Sequence, residues 1–134
     1  IHPRTRKNLD AAKITLSSTF QLIEPQGYLD FLRLQSGAAL IMSDSGGIQE
    51  EACIMRVPCV TLRDNTERPE TIAVGANVLG GTNKHTILDA ALQMIHQPRE
   101  WSIPYGDGSA SSQILDIISG SKATMPTQAA VTTA

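Results

Sequence analysis

The 134-residue chain is 41% hydrophobic and 18% charged, with 11 Lys and Arg against 13 Asp and Glu, which describes one soluble globular domain or a piece of one. A formal net charge of -2 leaves no basic excess for unselective binding to a nucleic-acid backbone. The longest purely apolar run, residues 38–42, falls far short of the roughly 20 residues a membrane-spanning helix needs, and the amino end lacks the layout of a signal peptide, so the expectation is a cytoplasmic protein.

The chain begins at Ile1 rather than Met and opens on the polar run His2-Pro3-Arg4-Thr5-Arg6-Lys7, which suggests the cut end of a longer polypeptide. Residues 19–23 form a short β-prone run. Pro25 then suits a first helical turn, and Tyr28, Leu29, Phe31, Leu32 and Leu34 follow at helical spacing up to Gly37. Residues 38–42 have the continuous apolar pattern of a strand covered on both faces in a parallel sheet. The segment Ser43-Asp44-Ser45-Gly46-Gly47 leads into a helix over 48–55, which Arg56-Val57-Pro58 breaks. Residues 59–62 form a third strand, 64–70 a dense polar loop and 77–79 a weak fourth strand. The stripe Ile87, Leu88, Ala91, Leu92 and Ile95 predicts a helix over 86–96. A turn at 105–108 precedes a last short helix over 109–118, and the small polar residues of 121–134 predict a disordered tail. Strands alternating with helices argue for an α/β fold with a parallel sheet, with its sites at the carboxyl ends of the strands. The segments 43–47 and 63–70 both follow strands and so fall on one rim.

Cys53 and Cys59 are too few for a disulfide scaffold and lack the spaced partners of a zinc site, so both read as buried thiols. The loop carrying Ser45, Gly46 and Gly47 lies between a strand and a helix, where unpaired amides and the helix dipole favour an anion and two glycines let a phosphate come close. Its alternative is a Ser or Asp cap on a tight turn. Glu51, one turn beyond Gly47 and about 6 Å further along the axis, could grip sugar hydroxyls or be one of two surface glutamates with Glu50. Arg68, held before Pro69, offers a planar fork for phosphate oxygens; alternatively it pairs with Glu67 or Glu70. His2 and Arg4 are candidates for lining a cleft or for plain solvation, and His85 and His96 have the character of helix-end residues.

Three segments, Ser43-Asp44-Ser45-Gly46-Gly47-Ile48-Gln49-Glu50-Glu51-Ala52, Arg63-Asp64-Asn65-Thr66-Glu67-Arg68-Pro69-Glu70 and Tyr105-Gly106-Asp107-Gly108, together with Glu24-Pro25-Gln26-Gly27-Tyr28-Leu29-Asp30-Phe31, resemble the non-hydrolysing UDP-N-acetylglucosamine 2-epimerases in order and spacing over about residues 1–118. The resemblance implies two Rossmann-like domains of the glycosyltransferase-B type with substrate between them. Residues 1–120 then correspond to the later part of the second domain and bind the nucleotide sugar. It further implies that Ser45, Gly46 and Gly47 hold the diphosphate, Glu51 the ribose hydroxyls, Arg68 a phosphate, and that Phe31 lies beside the uracil. In that family the C2 proton is removed and UDP expelled to give a glycal, then both are added back with C2 inverted. The reaction uses no cofactor, its acid and base carboxylates come from the first domain, and the enzymes are commonly homodimers. By the same resemblance this piece alone is inactive. The His-Pro-Arg-Thr form at residues 2–5 also occurs in relatives acting on other UDP-N-acetylated sugars, so the sugar stays open. Two other readings are a glycosyltransferase of the same architecture and a non-catalytic UDP-binding module.

Overall fold

A computed structural model describes Ile1 and residues 3–120; His2 and the expected tail over 121–134 lie outside the described residues. The elements run α1 (Pro3–Ala11), α2 (Tyr28–Ser36), β1 (Ile41–Ser43), α3 (Gly46–Ile54), β2 (Cys59–Thr61), α4 (Pro69–Ala73), β3 (Asn77–Leu79), α5 (Lys84–Met94) and α6 (Ala110–Ile118). The three strands form one parallel sheet in the order β1-β2-β3, with Ile41, Cys59 and Asn77 in register. The expected α/β architecture is therefore present, and α3 and α4 each start at the carboxyl end of a strand.

Four local expectations are corrected. The run over 19–23 forms no strand: Ser17 and Phe20 close a turn, and Phe20, Leu22 and Ile23 are all exposed, because no neighbouring strand offers them a ladder. β1 is an edge strand rather than one covered on both faces; Met42 is exposed, and the carbonyls of Ala38 and Ala39 accept from Arg99 instead of joining the sheet. Pro3 opens a helix where only a polar run was expected. No residue of α1 is buried, so the apolar periodicity that flags a helix is missing there. Finally, the polar loop over 64–70 ends in α4, which begins at Pro69.

The core lies on both sides of β2. Val60 packs with Ala90 and Met94 of α5, while Cys53 of α3 packs with Ala76 and Trp101. The Trp101 indole N–H donates to the Cys53 carbonyl at 3.0 Å, so the segment after α5 straps over the end of α3. That end is a left-handed cap: Arg56 has φ +57°, its N–H donates to Cys53 and the Val57 N–H donates to Ala52. Glycine usually fills this position. Here the Arg56 guanidinium donates to the Trp101 carbonyl at 2.5 Å and so fastens the strap. Both cysteines are buried and unpaired as expected, and burial pushes the Cys59 thiol up to about 12. Among the described residues no helix is long and apolar enough to cross a membrane.

Burial differs sharply along α5, with Met94 1% and Leu92 58% exposed. Met94→Ala is expected to cost about 2–5 kcal/mol in urea unfolding. Leu92→Ala should stay within about 0.5 kcal/mol of the parent.

Candidate functional site

Helix α3 begins two residues earlier than its apolar pattern suggests, so the diglycine is the first helical turn rather than a loop before it. Ser45 is the N-cap with extended backbone, yet its side chain makes no capping hydrogen bond and the first turn carries no acidic residue. The amides at this terminus thus keep the partial positive charge of an uncapped helix start.

Neither glycine is demanded by the fold. Both lie within the helix, and neither is among the positive-φ glycines. A Cβ on Gly46 would meet the Arg68 guanidinium at 3.8 Å, and one on Gly47 only the Ser45 hydroxyl at 4.0 Å, both ordinary contact distances. The two missing side chains leave the amides of this first turn uncovered by their own residues, with the Arg68 guanidinium and the Ser45 hydroxyl as the nearest neighbours. This geometry weakens the alternative of a capped tight turn, since there is no side-chain cap and no strained turn conformation.

Arg68 lies directly against Gly46. It is the N-cap of α4, and it reaches back to Gly46 across the carboxyl end of the sheet. Its Nε donates to Glu50 and its Nη1 to the Glu67 carbonyl at 3.0 Å. The side-chain ion pair is therefore with Glu50, rather than with the Glu67 or Glu70 carboxylates that sequence proximity suggested. The hydrogen bond to Glu50 raises the already high pKa of Arg68, so the guanidinium is permanently cationic. Glu70 instead accepts from the Tyr105 hydroxyl at 3.1 Å, and burial together with that bond pushes Tyr105 up.

Glu51 is not a free surface carboxylate. It is half-buried and accepts from Gln35 Nε2 of α2 at 2.7 Å, while the amide oxygen of Gln35, Oε1, is buried without a partner. Gln35 and Phe31, one turn apart on α2, border a cavity of about 230 Å³ with Ser43 and Ile48. Phe31 also borders a larger cleft of about 1010 Å³ that reaches Ser45, Pro25 and Arg4. The structure thus brings Phe31 and Ser45 to one cleft, sets Arg68 on Gly46, and ties Glu51 to the helix that carries Phe31. Arg4 does line the cleft, as one of its two readings held. Gln35 and Gln49 escaped notice in the sequence, although each is one helical turn from a singled-out residue, Phe31 and Ser45 respectively.

A parallel sheet with helices rising from its carboxyl edge, glycine-rich at one helix start and arginine-bearing at the next, defines a Rossmann-like α/β unit of the glycosyltransferase-B type. The model of the family described as UDP-N-acetylglucosamine 2-epimerase matches residues 1–119, and the chain belongs to this family. It is 49% identical over 126 residues to a UDP-N-acetylglucosamine 2-epimerase of Methanocaldococcus jannaschii, covering 91% of this chain and 34% of that one. A crystal structure of the M. jannaschii enzyme in complex with UDP-GlcNAc and UDP is similar over 90% of this chain and 34% of that chain, with a TM-score of 0.79 and 49% identity. A UDP-2,3-diacetamido-2,3-dideoxy-D-glucuronate 2-epimerase of Pseudomonas aeruginosa is 38% identical over 119 residues, 88% of this chain and 33% of that one. The chain spans about a third of the length of the curated relatives it matches.

Because nothing in the fold requires a missing side chain at Gly47, Gly47→Ala should leave thermal stability unchanged or raise it by up to about 1 kcal/mol. Differential scanning calorimetry checks this, and a marked loss of stability would mean that glycine serves the fold.

Proposed function

We infer that residues 1–120 are the UDP-binding portion of a UDP-N-acetylglucosamine 2-epimerase. The observation that carries this is the helix start at Gly46 and Gly47, capped by no side chain, with the Arg68 guanidinium lying against Gly46. Two converging positive elements suit a dianionic group, and a pyrophosphate is the group the family's substrates present. Ser45, Gly46, Gly47 and Arg68 would receive the pyrophosphate. Phe31 would lie beside the uracil in the cleft it shares with Ser45, and Glu51, a carboxylate beyond the amide cluster, would accept from the ribose hydroxyls. In this reading Glu50 is a resident anion that holds Arg68 in place until phosphate oxygens share it.

The reaction then proceeds by loss of the C2 proton with expulsion of UDP, and by re-addition with C2 inverted. UDP is both leaving group and returning nucleophile, so the positive groups described above stabilise negative charge as the C–O bond breaks and keep the nucleotide in place. The proton-transfer carboxylates are assigned to a first domain, in keeping with the one third of the relatives' length that this chain spans. A homodimer in the cytoplasm, needing no cofactor, completes the proposal. The higher identity to the UDP-N-acetylglucosamine enzymes than to the diacetamido-glucuronate enzyme favours the former sugar.

Isothermal titration with UDP is expected to show Arg68→Ala and Glu51→Ala binding roughly ten-fold or more weakly than the parent, the scale of a lost charge-assisted hydrogen bond. Unchanged binding in both variants would remove the site assignment. In the longer enzyme carrying both domains, UDP-N-acetylglucosamine in heavy water should gain deuterium at C2 with no acceptor present. Transfer of the sugar to an acceptor without C2 exchange would identify a glycosyltransferase instead.

A further inference from the structure

The groups placed around the pyrophosphate come from two elements, α3 with its N-cap Ser45 and the segment leading into α4, and one buried side chain joins them. Gln49 is 1% exposed and sits one helical turn after Ser45. Its Nε2 donates to the Ser45 carbonyl at 3.3 Å. Its Oε1 accepts from the Thr66 hydroxyl at 2.5 Å and from Asn77 Nδ2 at 3.2 Å. An amide oxygen only accepts, so the Thr66 hydroxyl proton must point at Gln49, and a lone pair of the same oxygen is left for the Arg68 N–H at 3.0 Å. On the other side of the same residue, the Arg68 carbonyl accepts from the Thr71 N–H at 3.1 Å and the Thr71 hydroxyl at 2.7 Å. Thr71 in turn accepts from Asn77 at 3.0 Å. Both peptide groups flanking Arg68 are therefore anchored to one buried amide pair, Gln49 and Asn77.

We propose that Gln49, acting through Thr66, is a positioning device that fixes the Arg68 backbone relative to the Gly46 amides, so that the guanidinium is set for a pyrophosphate before the ligand arrives. The inference rests on the nucleotide reading given above. A long arginine side chain has many rotamers, and it delivers a charge to a defined point only if its Cα is already fixed there. The network supplies that anchor from beneath, while Glu50 steadies the guanidinium from the side. A buried polar network of this kind is costly when incomplete, and here every polar side-chain atom of Gln49 and Asn77 has a partner: the one remaining, Asn77 Oδ1, accepts from Thr61 at 2.9 Å.

Thr66→Val keeps the shape and removes the relay, and Thr66→Ser keeps the relay. On the 134-residue chain, Thr66→Val should weaken UDP binding about ten-fold, as expected for a guiding hydrogen bond, and Thr66→Ser should restore it. In an Arg68→Ala background, Thr66→Val should cost less than about two-fold, since the group it positions is gone. Equal losses in both backgrounds would show a merely structural role and overturn the proposal. Nitrogen-15 NMR of the Arg68 side chain without nucleotide supplies the second measurement: its Nε–H resonance should shift or broaden in Thr66→Val and return in Thr66→Ser. An unchanged resonance overturns the proposal. Failure of the parent to bind UDP would instead sink the nucleotide reading, and the Nε–H resonance would still decide whether Thr66 positions Arg68.

Discussion

Arg68 lying against Gly46 is the contact on which the rest of the site depends. The two residues belong to different helix starts with strand β2 between them in the chain, and parallel pairing of β1 with β2 is what brings those starts to the same edge. Without that contact the diglycine is only a helix terminus, a weak and common source of positive potential. With it, main-chain dipoles and a full charge lie side by side.

The surroundings of this contact divide into a rigid support and an adjustable neighbour. The support is the amide pair of Gln49 and Asn77, deeply buried and fully hydrogen-bonded, which joins α3, β3 and the approach to α4. Low local dielectric makes each of those bonds stronger and each omission more costly, so the group behaves as one unit. The neighbour is Glu50, which is partly exposed and pairs with Arg68 where solvent screens the pair. A weak, screened ion pair is the kind that an arriving polyanion can share without disturbing the fold. Glu51 and Gln35 repeat the theme on the other side of α3, linking that helix to the one that carries Phe31.

Much of the fold is legible locally where burial and periodicity agree. Val60 and Thr61 of β2 announce their strand and are fully buried, whereas the periodicity of α5 marks the helix but not its buried face: Leu88, Leu92 and Ile95 of the expected stripe are exposed, and the helix packs on Val60 through Ala90 and Met94. The misreadings share one cause. The run over 19–23 has the composition of a strand, but a strand exists only when another edge accepts its hydrogen bonds. In the same way, residues 38–42 look doubly covered, although only 41–43 find a partner and only on one side. Helix α1 buries nothing and so leaves no periodic signature.

The candidate site divides along the same line. Ser45, Gly46, Gly47, Glu51 and Arg68 are legible as candidates in the sequence because their chemistry is local: small residues before a helix, a carboxylate one turn on, an arginine before proline; Phe31 enters only through the family resemblance. The partner of Arg68 and the roles of Gln35, Gln49, Thr66 and Asn77 were decided only by the tertiary structure, since hydrogen bonds such as that between Asn77 and Gln49 join residues 28 positions apart. Residue type and spacing specify what a side chain can do, but its partners depend on which surfaces the folded sheet and helices bring within about 3 Å of one another.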